Sequence, residues 1–598
     1  MNRLRELSRD LDMRVGAGLF ALAFLSLAFT EKDVGFTRDE SVYFFASENH
    51  ARWLTSPSFD DAAITHAYDF NHEHPALVKN LSGLSFVLLH EKLNLLRPAA
   101  AFRVPPWLMA SMLASLIYAF TRRLFGRPAA VFAAVSWFLV PRQFFNSHLE
   151  CFDVPIAAMW ALVIYCYYRA HDTRWGWLWT GITFGLAIAT KHNALFLPFV
   201  LIPFALVKAW LSSRGKDEAR NLVFSLVGAY GAVAVLYGLL FLALGVVKFQ
   251  GQFVALSPHT LLFALLGFAT WAILSRLHTV DLETFRTVAP IGAMAVLGPV
   301  IWYLHWPYLW HAPVDRTAWY LQFHATHNHY AWFYLGEVLR EPPFPLDYVV
   351  RVTAMTVPTA IFFPMVLGWC RSVWRMVRLR TDLLELLVLA NSVWAIAIIS
   401  QPSVPHFGGV KHWFPSMPFL AVLGAGALWR ASEGAAAFIT ERFKRAVKTE
   451  QIFAGLASLC GVSALIATMH LFAFGTSAYS ELAGGLPGAA SLGMQRQFWS
   501  NNLTGVLDWI NANARPGDRI YFHECHGGQI HDYQRNGMLR TDIRPVNGPD
   551  GADIVAYQYH QEFRDQEFLA WDALGTHHPV TGLYLDETPQ VVVYRRGE

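Results

Sequence analysis

Charge is what this sequence has least of. Only 15% of its 598 residues are Asp, Glu, Lys or Arg, against about a quarter in soluble domains. That is too little to cover a globule of this length, so a soluble enzyme and a disordered chain are both disfavoured. A formal net charge of +3 gives no reason to expect nucleic acid as a partner. Cysteine is equally sparse. Cys151, Cys166, Cys370, Cys460 and Cys525 stand singly, with no C-x-x-C pair and no even framework, which disfavours a secreted disulfide scaffold.

What fills the chain is apolar: 54% of residues are hydrophobic and 15% aromatic. The fold class this implies is an α-helical polytopic membrane protein. Stretches that meet or approach the roughly 20 apolar residues of a bilayer crossing lie at 15–30, 104–121, 128–145, 153–169, 175–190, 194–211, 222–247, 258–276, 287–305, 350–373, 383–400, 414–430 and 451–474. They make about thirteen spans. Pro258, Pro290 and Pro299 punctuate the pair at 258–305. Basic residues gather in alternate connections, such as Arg122, Arg123 and Arg127, then Lys208, Arg214, Lys216 and Arg220, then Arg371, Arg375, Arg378 and Arg380. By the positive-inside rule those connections are cytoplasmic. The N-terminus is then expected inside and the C-terminus outside, in a cell inner membrane or plasma membrane. No A-x-A-like cleavage site follows the first span, which reads as an uncleaved anchor.

Three outer regions are long. The loop 31–103 carries amphipathic stretches at Val42–Leu54 and Pro75–Leu93, suited to lying at the interface. The loop 306–349 is rich in aromatics and histidine. The tail, 475–598, turns polar. Helices are expected in it near 502–514, 528–536 and 560–574, and strands near 518–523, 553–558, 580–585 and 590–595, which makes a small extracytoplasmic α/β domain. It has no glycine-rich phosphate loop and no internal repeat.

Chemistry-bearing residues gather where outer helix ends are expected. Asp39 and Glu40 follow the first span in G-F-T-R-D-E-S. His72-Glu73-His74-Pro75 comes later in the same loop. Arg103-Val104-Pro105 opens the second span and Asp153-Val154-Pro155 the fourth. An acidic pair at a membrane surface is often merely solvated, but ionisable groups gathered at such a boundary are costly to desolvate and usually have a task.

The order of these elements, with Thr190-Lys191-His192-Asn193 before the sixth span and Lys411-His412-Trp413-Phe414-Pro415 entering a late one, resembles the GT-C membrane glycosyltransferases. The branch it is similar to holds the protein O-mannosyltransferases and lipid A aminoarabinose transferases. The likeness covers roughly residues 10–430, within a transmembrane domain at 1–474. It implies sugar transfer from a polyprenyl-phosphate donor, held beside the lipid bilayer, to an extracytoplasmic acceptor that is a protein, lipid or glycan. Asp39 matches the family's catalytic aspartate and is expected to be the general base of an inverting transfer. Glu40 is expected to orient or support it, and Asp153 to be the second carboxylate of the site. Chemically, such a transfer needs a carboxylate at the acceptor hydroxyl and cations over the leaving phosphate. Arg103, Lys191, Lys411 and Arg142 are the phosphate candidates, although a lone basic residue at a helix end most often snorkels to the headgroups.

Histidine is the unusual component, with 24 copies. Glu73 and His74, with His324 and His327 of the second loop, are a candidate divalent metal set. Zinc is the natural ion for such ligands, with magnesium or manganese as alternatives. The ordinary reading is hydrogen bonding in an aromatic interfacial loop, and the proposed catalysis requires no cofactor. In the tail, His523-Glu524-Cys525-His526 with His531-Asp532 looks metal-like but lacks the H-E-x-x-H spacing. A transporter or lipid flippase is the competing class. Its usual internal repeats and midplane charges are not visible. A non-catalytic scaffold presenting the tail leaves Asp39, Asp153 and Lys191 unexplained.

Overall fold

The computed structural model describes residues 2–212, 282–326, 329–404 and 406–597. His327 and the expected spans at 222–247 and 258–276 lie outside the described residues. The rest is mainly helical. In chain order come α1 (Asn2–Thr30), α2 (Arg38–Thr55), α3 (Asp61–Tyr68), α4 (Leu77–Phe86), α5 (Pro98–Phe125), α6 (Arg127–Phe138), α7 (Pro141–His148), α8 (Asp153–Ala170), α9 (Gly176–Thr190) and α10 (Leu197–Ser212). Then follow α11 (Leu282–Leu304), α12 (Pro313–Ala325), α13 (Tyr348–Thr356), α14 (Thr359–Val377), α15 (Leu383–Ile399), α16 (Met417–Phe443) and α17 (Thr449–His470).

Four helices among the described residues are long and apolar enough to cross a membrane: Asp10–Asp33, Pro98–Phe125, Arg286–Leu304 and Thr449–His470. Several of the other expected spans are shorter or broken, for local reasons. The stretch 128–145 splits into α6 and α7, bent by 70°, where Pro141, which has no N–H, starts a new helix at a position whose donor would have no partner within the helix. The stretch 350–373 splits into α13 and α14 around Val357 and Pro358, both outside helical geometry. Pro at N1 or N2 also opens α5 and α6, and Gly126, at φ +91°, separates those two. One apolar core runs through these helices, with Trp107, Trp137, Trp160 and Trp413 fully buried in it.

The loop 31–103 is largely helical, as its amphipathic pattern implied. Its register comes from Thr37, whose hydroxyl accepts from the Glu40 N–H at 3.3 Å and caps α2. The loop 306–349 folds as α12 and a hairpin, β1 (Trp332–Tyr334) against β2 (Glu337–Leu339), which the sequence reading lacks.

The tail carries α18 (Gly485–Ser491), α19 (Thr504–Asn513), α20 (Gly527–Arg535) and α21 (Gln566–Leu574). Its strands β3 (Arg519–Phe522), β4 (Arg544–Val546), β5 (Ile554–Gln558), β6 (Thr581–Leu585) and β7 (Thr588–Arg595) form a sheet in the order β4-β3-β5-β7-β6. The first three strands are parallel and the last two join antiparallel. The expected strands and helices are present. The additions are helix α18 and the edge strand β4, whose Pro545 cannot donate to a ladder and so suits an edge. The core of this sheet is not the tail's alone: Phe36, Phe44, Phe86 and Phe102 of the first loop and α5 pack into it with Leu507, Ile520 and Ile554.

Candidate active site

Asp39 and Asp153 both stand in the first turn of a helix, α2 and α8, where the helix dipole favours a carboxylate. Each faces a lysine from a different element. Lys411, on the 3₁₀ turn Gly409–Ser416 before α16, donates to Asp39 Oδ2 at 2.8 Å. Lys191, the residue that ends α9, donates to Asp153 Oδ1 at 2.6 Å. The two pairs sense one another: Asp39 feels Lys191 and Lys411 feels Asp153. Burial works to raise the Asp39 pKa, but Lys411 and Arg38 more than offset it, so the carboxyl sits below its ordinary range. Burial likewise opposes the Lys411 ammonium, and Asp39 and Asp153 overcome it and push its pKa up. Both groups are charged at neutral pH.

Around the pairs lies a wall of rings. Tyr43 packs on Phe152 at 4.3 Å between centroids, and His74 lies edge-on to Tyr43. His192 stacks on His324 at 3.9 Å. Burial, then neighbouring lysines and histidines, pulls the pKa of His74 well below its ordinary value, and His192 likewise. These imidazoles are neutral donors and acceptors rather than cations. The Trp499 ring lies 4.1 Å from Lys411 Nζ.

The other expected residues are placed differently. Arg103 does not face the lysines. It is fully buried and donates to Glu40 at 2.8 and 2.7 Å, to Glu31 at 3.3 Å and to the Val34 and Gly35 carbonyls. Its donors are consumed by this scaffold, which corrects its assignment to the donor phosphate. Glu40 is the other half of that scaffold and also accepts from the Glu150 N–H. Both of its carboxylate oxygens are thus engaged within the protein. Arg142 is buried behind Gly409, stacked on Tyr479 and Phe498, with Nε donating to the Ala478 carbonyl. Its Nη2 finds no partner among the described residues.

Of the proposed metal ligands, the three within the described residues, Glu73, His74 and His324, do not converge on one point. Glu73 accepts from Asn71 Nδ2 at 2.7 Å, and His324 Nε2 meets the Glu73 main-chain oxygen at 2.9 Å, so that nitrogen donates. The rings of His74 and His324 are 6.2 Å apart. Among the described residues no group of three or more His, Cys, Asp or Glu is arranged to hold a metal ion. In the tail, both ring nitrogens of His523 are taken up by Gln558 and Gln566, and His526 caps α20.

Sequence reasoning missed Lys79, Trp499 and the imidazole of His192. Lys79 is fully buried and donates to Asn71 and to the His74 carbonyl, which fixes the turn carrying Glu73 and His74. A lysine on the apolar face of an amphipathic stretch was the available signal. Trp499 had none, since the tail's packing on the first loop is a long-range contact.

Solved structures similar to the chain in overall course include the following two. ArnT from Cupriavidus metallidurans, bound to undecaprenyl phosphate, has a TM-score of 0.45 at 13% identity, covering 96% of this chain and 97% of that one. The oligosaccharyltransferase AglB from Archaeoglobus fulgidus, in complex with an inhibitory peptide and a dolichol-phosphate, has a TM-score of 0.48 at 15% identity, covering 94% and 71%. Those ligands are properties of those proteins. No curated protein matches the chain. The sequence profile of the dolichyl-phosphate-mannose-protein mannosyltransferases does match, over residues 94–229, a stretch that carries Arg142, Asp153 and Lys191.

Proposed function

We propose that this integral membrane protein transfers a sugar from a polyprenyl-phosphate donor to an extracytoplasmic acceptor, with inversion at the anomeric carbon. The observation that supports the reading best is the double ion pair, Asp39 with Lys411 and Asp153 with Lys191. Asp39 is the general base. It takes the proton of the acceptor hydroxyl while that oxygen bonds to the anomeric carbon, and the bond from that carbon to the donor phosphate breaks. Lys191 and Lys411 neutralise the charge that accumulates on the leaving phosphate, where fixed cations contribute most. Arg142 adds a third, more distant charge. Asp153 holds Lys191 in place until the phosphate arrives.

The pairing also answers how a carboxylate of low basicity works as a base. While Lys411 serves Asp39 alone, the carboxylate is stabilised and weakly basic. A donor phosphate draws the same ammonium towards itself, and the carboxylate becomes more basic as the complex forms. Proton transfer is thereby tied to the presence of donor. The orientation follows from the basic connections: N-terminus cytoplasmic, tail outside.

The test is a deletion strain. Mass spectrometry of its lipid-linked sugars and envelope glycans is expected to find an accumulated donor and one missing modification. The wild-type gene restores that modification. Asp39→Asn, present at normal level in the membrane, is expected to lower transfer by about 10²- to 10⁴-fold. Near-normal product from that variant removes Asp39 as the base.

A further inference from the structure

The tail reaches the Asp39–Lys411 pair through the short segment 497–502, and that segment is anchored at both ends. Gln497 Nε2 donates to the Gln590 carbonyl of β7 at 2.8 Å. Asn501 Oδ1 accepts from Thr476, and Asn502 Nδ2 donates to Ser477 Oγ, each at 2.9 Å. Between these anchors Trp499 and Ser500 take φ of +57° and +63°. Successive non-glycine residues in the left-handed region are uncommon, and they persist only where the surroundings over-determine them. The backbone is held in this shape so that Trp499 faces two ways at once.

Its carbonyl accepts from the Arg38 N–H at 3.0 Å. Arg38 is the first residue of α2, and its N–H has no acceptor within the helix, so Trp499 completes the end of the helix that presents Asp39. Its indole lies over Lys411, with Nζ 4.1 Å from the ring, inside the roughly 6 Å reach of a cation–π contact. Gly408 makes room for this. A Cβ there would come within 2.8 Å of Trp499 Cζ2 and of Lys411 Cε, and its φ is +87°.

We propose that Trp499 is a positioning residue of the transferase site: it brackets Asp39 and Lys411 from the tail, fixing α2 through its carbonyl and the ammonium through its ring. The inference rests on the reading of Asp39 and Lys411 as base and phosphate ligand, and it gives the tail a part in the site. Lys411 has two anionic partners to serve in turn, the Asp39 carboxylate and then the leaving phosphate. The indole is a third partner that neither step removes. It keeps the ammonium charged and in place while the Asp39–Lys411 pair loosens.

The test needs no substrate. In the detergent-solubilised full chain, competitive acetylation with acetic anhydride, read by mass spectrometry at Lys411 across a pH series, gives the midpoint at which this amine loses its proton. Added access alone raises the plateau of labelling, whereas loss of a cation partner lowers the midpoint. Trp499→Leu is expected to weaken proton binding at Lys411 by about three- to thirtyfold, and Trp499→Phe by less. Because Leu removes the ring that packs at this left-handed position, a second series places mono-, di- and trifluorinated tryptophan at 499. That series keeps the shape and drains the ring face, and the midpoint is expected to fall with each fluorine. A midpoint unchanged across the fluorinated series, in protein that elutes as wild type by gel filtration, overturns the proposal. An active Asp39→Asn would remove the base and leave the labelling result standing.

Discussion

Asp39 and Lys411 set each other's charge, and at the scale of single residues this is the main chemical fact of the site. The Asp39 carboxyl is partly buried, which opposes ionisation, and its low pKa exists because Lys411 and Arg38 outweigh that burial. With the pKa lowered, the base is ready throughout the neutral range, and activity is lost only as acid reaches the depressed value. In Lys411→Met the burial remains while its main opponent is gone. The acid limb of the pH–rate profile, measured on membranes with the donor identified from the deletion strain, is then expected to move up by about 1 to 3 in pH. A limb that stays put while the rate falls would confine Lys411 to the phosphate. The Arg103–Glu40 pair shows the opposite use of charge. Both groups are fully buried, so removing either partner leaves an uncompensated ion and harms folding before chemistry.

At the scale of elements, the sequence was informative where the signal is local. Apolar runs, amphipathic stretches and the alternation of elements in the tail each act over a few residues, and most helices and tail strands lie where they point. Which charge meets which was not legible. Arg103 and Lys191 read alike as basic residues at outer helix ends, yet one is consumed by Glu31 and Glu40 and the other faces Asp153. That difference is set by the fold of the first loop over α5, a contact 63 to 72 residues apart in the chain. Span lengths were overread for a related reason, since Pro141 and Pro358 break apolar runs that composition leaves whole. Close helix packing was also hidden. Gly368 on α14 lies so near α16 that a Cβ would come within 2.1 Å of the Leu423 carbonyl. Gly368→Ala is therefore expected to force the helices apart and cost about 1–3 kcal/mol, read as a lowered Tm in detergent. Gly434→Ala, where nothing lies within 4 Å, is the control and is expected to match wild type. Equal Tm values for both would mean that the two helices are not in contact.

At the scale of the whole molecule, the tail and the first loop behave as one body because they share a core. Phe36, Phe44 and Phe102 bury their rings with Leu507 and Ile554, Gln529 Nε2 donates to the Phe36 carbonyl at 3.0 Å, and Arg535 meets Glu48 at 3.0 Å. Asp532 on α20 is closed into this junction. Burial, with the nearby charge of Glu40, pushes its pKa up to about 7 against the pull of Arg535 and Arg103. In the unfolded chain the same carboxyl titrates near 4. The folded state thus holds the proton more tightly, and the stability this supplies is complete below about pH 4 and lost as pH rises through about 7. Thermal unfolding of the detergent-solubilised chain is expected to show that loss between pH 5 and pH 8. Asp532→Asn keeps the shape and cannot ionise, so its Tm is expected to change less over that interval. At pH 8 it should exceed wild type by an amount on the order of a few kcal/mol in stability. Parallel profiles for the two proteins would mean that water reaches Asp532, and that the tail and the first loop part in solution. The Trp499 bracket requires them to stay closed, so the same measurement bears on whether the tail remains seated over the Asp39 helix.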